Sequence, residues 1–519
     1  MPDTHSKDDN GAPSAAAPPR RARNFLFDTG SRSVLKLITS AGNLLLTGLL
    51  VKTLGEESFG IYRSATASVG LLSLAGAGFT GASYGLVVKH LAQGDYAGVN
   101  RVFSHSAKYL WGVFAALLLL SWPAGFALAR FYNVPETFAA EFQRTSSLAT
   151  LGLAFGFAAA PFIWIVQARQ REYVLNVLHW PLAIASPLAI YLTARSIPHA
   201  WGAALALAAT ALVGNSICIG VSLWMHHRWL RFDPHARHPE VGRRTNYSFL
   251  EEAAFVVLAQ ALLWSVSFHA GPPAVAQLAV TLTFFAFSRD MLQTISATLV
   301  APVGSLFHSG EGKRAAFVWL DATLFSGLIC LGIGGVLTVM NAHLISAWVG
   351  PQMYVGKLSN WLFAVSLAIT GSNAPSVAVL YAVDGYRERA RLLFAEAISG
   401  VLLAFLLGWR FGTSGAVAGM LISQLLCAAL YPLAIHQRMP IPMREFAVIY
   451  VRLILVLLTF ILGMSYTFSE YLFRGPIYLL LLKSGLLGLS TLSVLFLFGL
   501  PASVRMRVAK RIHFLQLAR

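Results

Sequence analysis

Charge is what this chain has least of. Only 12% of its 519 residues are Asp, Glu, Lys or Arg, and the acids number 22 against 39 bases. With 56% hydrophobic residues and a mean hydropathy of +0.63, there is too little polar surface to solvate a soluble protein of this length. Cysteine is almost absent. Cys218, Cys330 and Cys427 stand far apart with no metal-ligand spacing, which excludes a disulfide framework and a thiolate metal site and leaves them as packing residues. No alternating strand pattern is present, so an outer-membrane barrel is excluded. Residues 1–24, rich in Ala, Pro and charge, lack the apolar core of a signal peptide and read as an uncleaved, disordered tail. A Walker A loop is also missing, since Gly312-Lys313 is followed by Arg314 and lacks the upstream Gly, which excludes ATP hydrolysis by that route.

What is present is a series of fourteen apolar stretches, near residues 33–53, 60–88, 107–129, 145–166, 174–194, 200–225, 249–268, 275–304, 316–340, 358–382, 392–409, 414–435, 446–467 and 475–500. Each has about the ~20 residues that a helix needs to cross a ~30 Å hydrocarbon core. The expected fold is an all-α integral membrane protein of 14 transmembrane helices. Lys and Arg concentrate in the two tails and in every second gap, whereas the gaps between hold single cations such as Arg130, Arg195, Lys357, Arg410 and Arg474. Short basic loops stay on the cytoplasmic side, so the alternation places both termini in the cytoplasm. The same loops face anionic lipid headgroups, so the net charge of +17 calls for membrane lipids as partners and for no nucleic acid.

Local patterns recur at a nearly constant spacing. Ala160-Pro161 returns as Ala374-Pro375, Arg171-Glu172 as Arg387-Glu388, and Gly94-Asp95 as Gly310-Glu311. Arg195 with Trp201-Gly202-Ala203 is matched by Arg410 with Ser414-Gly415-Ala416. All offsets fall between 213 and 216 residues and at equivalent crossings, which argues for two copies of a six-helix unit in the same orientation. The implied organisation is a tail at 1–24, a six-helix lobe at 25–227, a basic linker at 228–247, a second lobe at 248–438, an added helix pair at 439–500 and a basic tail at 501–519. Two lobes around a cleft are the design of a transporter that rocks about a central site. An enzyme such as a membrane glycosyltransferase or polymer ligase would want a sizeable external loop with acids, and the longest expected one, 341–357, is too short.

An ionisable side chain deep in a bilayer costs roughly 2.5–3.5 kcal/mol on insertion scales and normally faces a cavity or a partner. The candidates are Arg32 and Lys36 at the start of the first span, Arg63 in the second, and the neighbours Arg289 and Asp290 deep in the eighth. Being adjacent, Arg289 and Asp290 point about 100° apart and are not expected to face one another. The excess of cations suits an anionic substrate such as a phosphate or diphosphate, whose oxygens match the guanidinium fork. Lys52 snorkels, Arg144 lies outside, and Asp321 and Glu396 read as structural partners of Arg387 and Arg391. Gly70, Gly76, Gly78, Gly81 and Gly85 in the second span mark close packing or a bend. No catalytic residue, metal site or cofactor is expected.

The run LGEESFGIYRSATASVGLLSLAGAGFTGASYGLVVKHLAQGDYAGVNRVFS, Leu54 to Ser104, resembles the first-repeat region of Wzx-type polysaccharide flippases of the MOP superfamily, and APVGSLFHSGEGKRAAF, Ala301 to Phe317, its second-repeat equivalent. The superfamily also holds the lipid II flippase and the MATE drug exporters. The resemblance implies a V-shaped pair of lobes, alternating access and a flippase that moves an undecaprenyl-diphosphate-linked oligosaccharide across the bacterial inner membrane for polysaccharide export, without acting as an enzyme. It implies substrate contacts at Arg32, Lys36, Arg63, Arg289 and Asp290, a groove for the lipid tail formed by the two extra helices, and a monomer working beside polymerase and export proteins. The alternatives are a lipid II-type flippase and a MATE-like multidrug exporter. MATE exporters carry an acid deep in the first helix, and the first span here has none beyond Asp28 at its mouth.

Overall fold

The computed structural model describes residues 18–132, 134–297, 299–439 and 475–500, with scattered positions in 443–459 and 502–506. Among the described residues there is no strand. The helices are α1 (Pro18–Gly70), α2 (Phe79–Ala92), α3 (Tyr96–Phe131), α4 (Glu136–Ala168), α5 (Glu172–Ser196), α6 (Ala200–His226), α7 (Pro239–Ala297), α8 (Val300–His308), α9 (Gly312–Trp348), α10 (Lys357–Ala382), α11 (Tyr386–Ala428), α12 (Leu430–His436) and α13 (Ile477–Val494). A 3-10 turn, Leu71–Gly76, joins α1 to α2, and a π-helical turn, Leu495–Gly499, follows α13.

Ten helical stretches among the described residues are long and apolar enough to cross a membrane, and the chain is a multi-pass membrane protein. The count differs from the expected fourteen, and the structure shows one reason. Three of the ten are interrupted by a single non-helical glycine: Gly55 in α1, Gly271 in α7 and Gly412 in α11. These glycines fall in the gaps expected after the first, seventh and eleventh spans, and the chain doubles back at each. Ser40 and Arg63 of α1 line one small cavity, although a continuous helix would set them roughly 35 Å apart. Phe255 and Ser296 of α7 likewise share a cavity. Across Gly412 the limbs are nearly in backbone contact, a Cβ on Gly419 falling 2.4 Å from the Leu403 carbonyl. Gly55 (φ 77°, ψ 175°) and Gly271 (φ 74°, ψ −176°) occupy a backbone region open essentially to glycine alone. The span expected at 446–467 lies mostly outside the described residues, and residues 1–17 and 507–519 lie wholly outside them. Residues 18–24, expected as tail, are the first turns of α1; helix propagation from the apolar segment outweighs their Pro and Arg content.

The apolar surface faces outward, as lipid requires. Ile184, Leu188 and Leu192 on α5, and Leu402, Leu406 and Trp409 on α11, form exposed stripes at helical spacing. The two halves meet through α1 and α7, where Leu50, Phe59 and Ile61 pack in one cluster with Val275 and Leu278. Gly60 is essential to that approach, since a Cβ there would lie 2.0 Å from the Pro272 carbonyl oxygen. Trp264 Nε1 donates to the Ala67 carbonyl at 2.9 Å, and Gln277 Nε2 to Glu56 Oε1 at 2.8 Å. The stretch after α6 is strapped to α3: Asn100 Nδ2 donates to the Trp229 carbonyl at 2.9 Å, and Lys108 Nζ to the carbonyls of Pro234 and Ala236 at 2.7 and 2.6 Å.

Candidate functional site

Two polar cavities lie near the contact between the halves, one between them and one within the second half. The smaller, about 250 Å³, is enclosed by both limbs of α1 and the second limb of α7, with Asn43, Thr47, Tyr62, Arg63, Thr283 and Asp290 on its wall. Arg63 lies three residues after Gly60 and four before Ala67, so it shares with them the face of its limb that packs toward α7. The side chain is half-buried, and its Nε is buried without a hydrogen-bond partner. A buried guanidinium N–H left without a partner costs about 1–3 kcal/mol or more.

The larger cavity, about 570 Å³, lies within the second half between α7, α10 and α11. Asp290 lines both cavities and Arg289 the larger one. Lys36 Nζ donates to Asp290 Oδ2 at 3.0 Å, an ion pair that crosses from one half to the other. Arg289 Nε approaches Asp290 Oδ1 at 4.0 Å, contrary to the expectation that these sequence neighbours stay apart; the length of the arginine side chain allows it to curl back. Lys36 and Arg289 therefore approach one carboxylate, and Arg63 shares the wall of the smaller cavity with it. Arg32 is placed elsewhere: its exposed guanidinium pairs with Glu172 of α5, and it lines neither cavity.

Two further pairs were not foreseen. Arg389 donates to Glu251 Oε1 at 2.8 Å, with both side chains largely buried, and sits 5.4 Å from the Tyr381 ring. Glu396, expected beside an arginine, instead accepts from Tyr431 Oη at 3.1 Å on the wall of the larger cavity. A helical wheel separates these roles. Arg387 and Arg391 are four residues apart and share a face, whereas Arg389 lies about 200° from each and so turns inward. Glu252, adjacent to Glu251, accepts from the Gly78 backbone N–H at 2.9 Å, a second contact between halves. Gly78 itself has φ 82°, and a Cβ on Gly76 would lie 2.2 Å from Phe157, so the glycine-rich second span is both bent and tightly packed.

All three cysteines are buried and free. Cys330 fits against Gly371, where an added Cβ would lie 1.8 Å from its sulfur. Among the described residues no group of three or more His, Cys, Asp or Glu is placed to hold a metal ion.

No family model matches the sequence, and no curated protein matches it. Solved structures do. The chain is similar to the lipid II flippase MurJ in an inward closed conformation, with a TM-score of 0.68 and 12% identity over 89% of this chain and 99% of that one. It is similar to an inward-facing multidrug resistance MATE family transporter of the MOP superfamily, with a TM-score of 0.61 and 16% identity over 78% and 98%. A third likeness is to a MOP superfamily transporter from Pyrococcus furiosus described as having a binding pocket of reverse polarity that suggests a different function, with a TM-score of 0.60 and 14% identity over 80% and 96%. The fold is that of the MOP superfamily transporters.

Proposed function

We propose that this chain is a flippase that carries a polyprenyl-diphosphate-linked oligosaccharide across the bacterial inner membrane for polysaccharide export, as the Wzx-type resemblance implies. The observation that carries the reading is the cation excess at the meeting of the halves: Lys36 and Arg289 share the carboxylate of Asp290, Arg63 lies on the same cavity wall with no ion pair among the described residues, and a diphosphate supplies the missing negative charge. Arg63, Arg289, Lys36 and Asp290 form the headgroup site in this reading, and Arg32, paired with Glu172, lies outside it. Sugar hydroxyls left unpaired in hydrocarbon would cost several kcal/mol each, so the headgroup travels between the halves while the tail stays in lipid.

An apolar groove supports the placement of the tail. It has a volume of about 540 Å³, runs between α9, α10, α12 and the residues Met443, Ala447, Ile454 and Leu458, and shares Ile369 and Asn373 with the larger polar cavity. In this reading 25–227 and 248–438 rock as two lobes, 228–247 links them, and both termini face the cytoplasm. No covalent bond changes. An interior-negative potential favours outward movement of the diphosphate by about 2.3 kcal/mol per charge per 100 mV.

A MATE-like drug exporter is the second reading, favoured by the acids Glu251 and Glu396 of the second half. Deletion separates the two: lost polysaccharide with unchanged drug resistance supports the flippase, and the reverse supports the exporter. Arg289→Ala is expected to abolish polymer export at unchanged membrane levels, and normal export in that variant would remove the site assignment.

A further inference from the structure

The two cavities differ in chemistry as well as size, and the difference points to two ligand moieties. The smaller has Arg63 and Asp290 on its wall, and Asp290 is already approached by Lys36 and Arg289, so Arg63 is left without an ion-pair partner among the described residues. The larger is charge-compensated: Arg389 is paired with Glu251, Arg289 approaches Asp290, and Glu396 accepts from Tyr431. What remains on its wall is neutral hydrogen-bonding capacity. Gln293, Thr370 and Asn373 all line it, and none makes a side-chain hydrogen bond with the described residues. Tyr381 is 56% exposed and contributes an aromatic face. At about 570 Å³ the cavity falls within the roughly 300–1,000 Å³ of pockets that enclose small ligands. A free anion gains little there, because Arg389 is paired with Glu251 and the carboxylates of Glu396 and Asp290 also line the wall. An apolar drug would leave the amides unpaired and incur their desolvation cost.

We infer that the larger cavity of the second half is a binding site for neutral sugar rings, separate from the diphosphate chamber and joined to it through Asp290. The inference rests on the flippase reading and adds to it a position for the sugar, inside one half and not only in the cleft between halves. A sugar ring supplies hydroxyls to Gln293, Thr370 and Asn373 and an apolar CH face to Tyr381, while its diphosphate remains beside Arg63.

The test is binding of two probes to the purified full-length protein in detergent: a bare polyprenyl diphosphate and the same carrier bearing one hexose. For the wild type the hexose is expected to tighten binding by about ten-fold, the scale of one or two buried hydrogen bonds. In Gln293→Leu combined with Thr370→Val, two substitutions close to isosteric, that gain falls to less than about two-fold, whereas the bare carrier binds as tightly as to the wild type, which also shows that the variant is folded. Arg63→Ala weakens both probes. Equal affinity of the wild type for the two probes, or an undiminished hexose gain in the double variant, overturns the sugar site and leaves the flippase reading standing. Failure of the wild type to bind either probe overturns both.

Discussion

The first crossing of each half is the same helix in backbone and the opposite in charge. Position 36 and position 252 lie 216 residues apart, the spacing that also relates Gly55 to Gly271 and Gly94 to Gly310, all four glycines having positive φ. Yet Lys36 reaches across to Asp290 of the second half, whereas Glu252 reaches across to the Gly78 N–H of the first. The ion pairs within each half are inverted as well. Arg32 on α1 pairs with Glu172 on α5, and Glu251 on α7 pairs with Arg389 on α11. The backbone geometry of the two crossings is alike, while their cross-contacts are made by a cation on α1 and by acids on α7. The contrast accounts for an ion pair at one end of the interface, and in the proposed reading it sets the anion chamber around α1 and not around its counterpart.

Reversing the charge of one latch is the strongest way to break this contrast. Lys36→Glu sets a second carboxylate beside Asp290 in place of an ammonium at 3.0 Å. The expected loss is on the order of 3 kcal/mol, held below the cost for a fully buried pair because the partners are 41% and 33% exposed. Lys36→Glu combined with Asp290→Lys should recover most of it, as read by thermal unfolding in detergent; a double variant no more stable than the single one would deny the pairing.

The glycine reversals sharpen the comparison from its conserved side. An added Cβ meets nothing within 4 Å at Gly55 or Gly271, so alanine there costs backbone strain alone, about 2 kcal/mol. The two variants should lose equal stability to within about 0.5 kcal/mol. A neutral Gly271→Ala beside a damaging Gly55→Ala would show that the halves are not equivalent at these turns.

The smallest effect concerns the caps of α3 and α9. Asp95 Oδ1 accepts from the Gly98 N–H at 2.7 Å, whereas its counterpart Glu311 makes no capping bond and pairs with Arg314. Asp95→Ala should cost about 1 kcal/mol and Glu311→Ala close to nothing. The Gly98 N–H, followed by His90, holds the Asp95 carboxyl below its usual range. Its contribution is therefore complete above the ordinary aspartate value of 3.8 and is lost only as pH falls through the lowered one. Hydrogen exchange at the start of α3 in wild type and Asp95→Ala should differ at pH 5; equal exchange there would contradict the cap.

Much of this was legible in the sequence because lipid enforces length and polarity on every crossing. The gaps placed after the first, seventh and eleventh spans fall on Gly55, Gly271 and Gly412, although each turn is so tight that the helix barely breaks. The offset near 215 residues reappears in backbone torsions, even at the non-glycine pair Gln170 and Asp384. Arg63, Arg289 and Asp290 stood out in the sequence because a charge deep in an apolar span is costly, and the structure sets each of them on a cavity wall. What stayed hidden were partners brought together by tertiary packing. Glu251 and Arg389 are 138 positions apart, and only a wheel through Arg387, Arg389 and Arg391 would have turned Arg389 inward. The curl of Arg289 toward Asp290, and the capture of Arg32 by Glu172, are side-chain choices that periodicity does not encode.

The central claim, that the cationic chamber between the halves carries a diphosphate headgroup across the bilayer, is met most directly by leaflet translocation of a fluorescent polyprenyl-diphosphate-linked oligosaccharide in proteoliposomes. The account predicts transfer by the wild type and its loss in Arg63→Ala at equal protein content. Transfer at the wild-type rate in Arg63→Ala would contradict it.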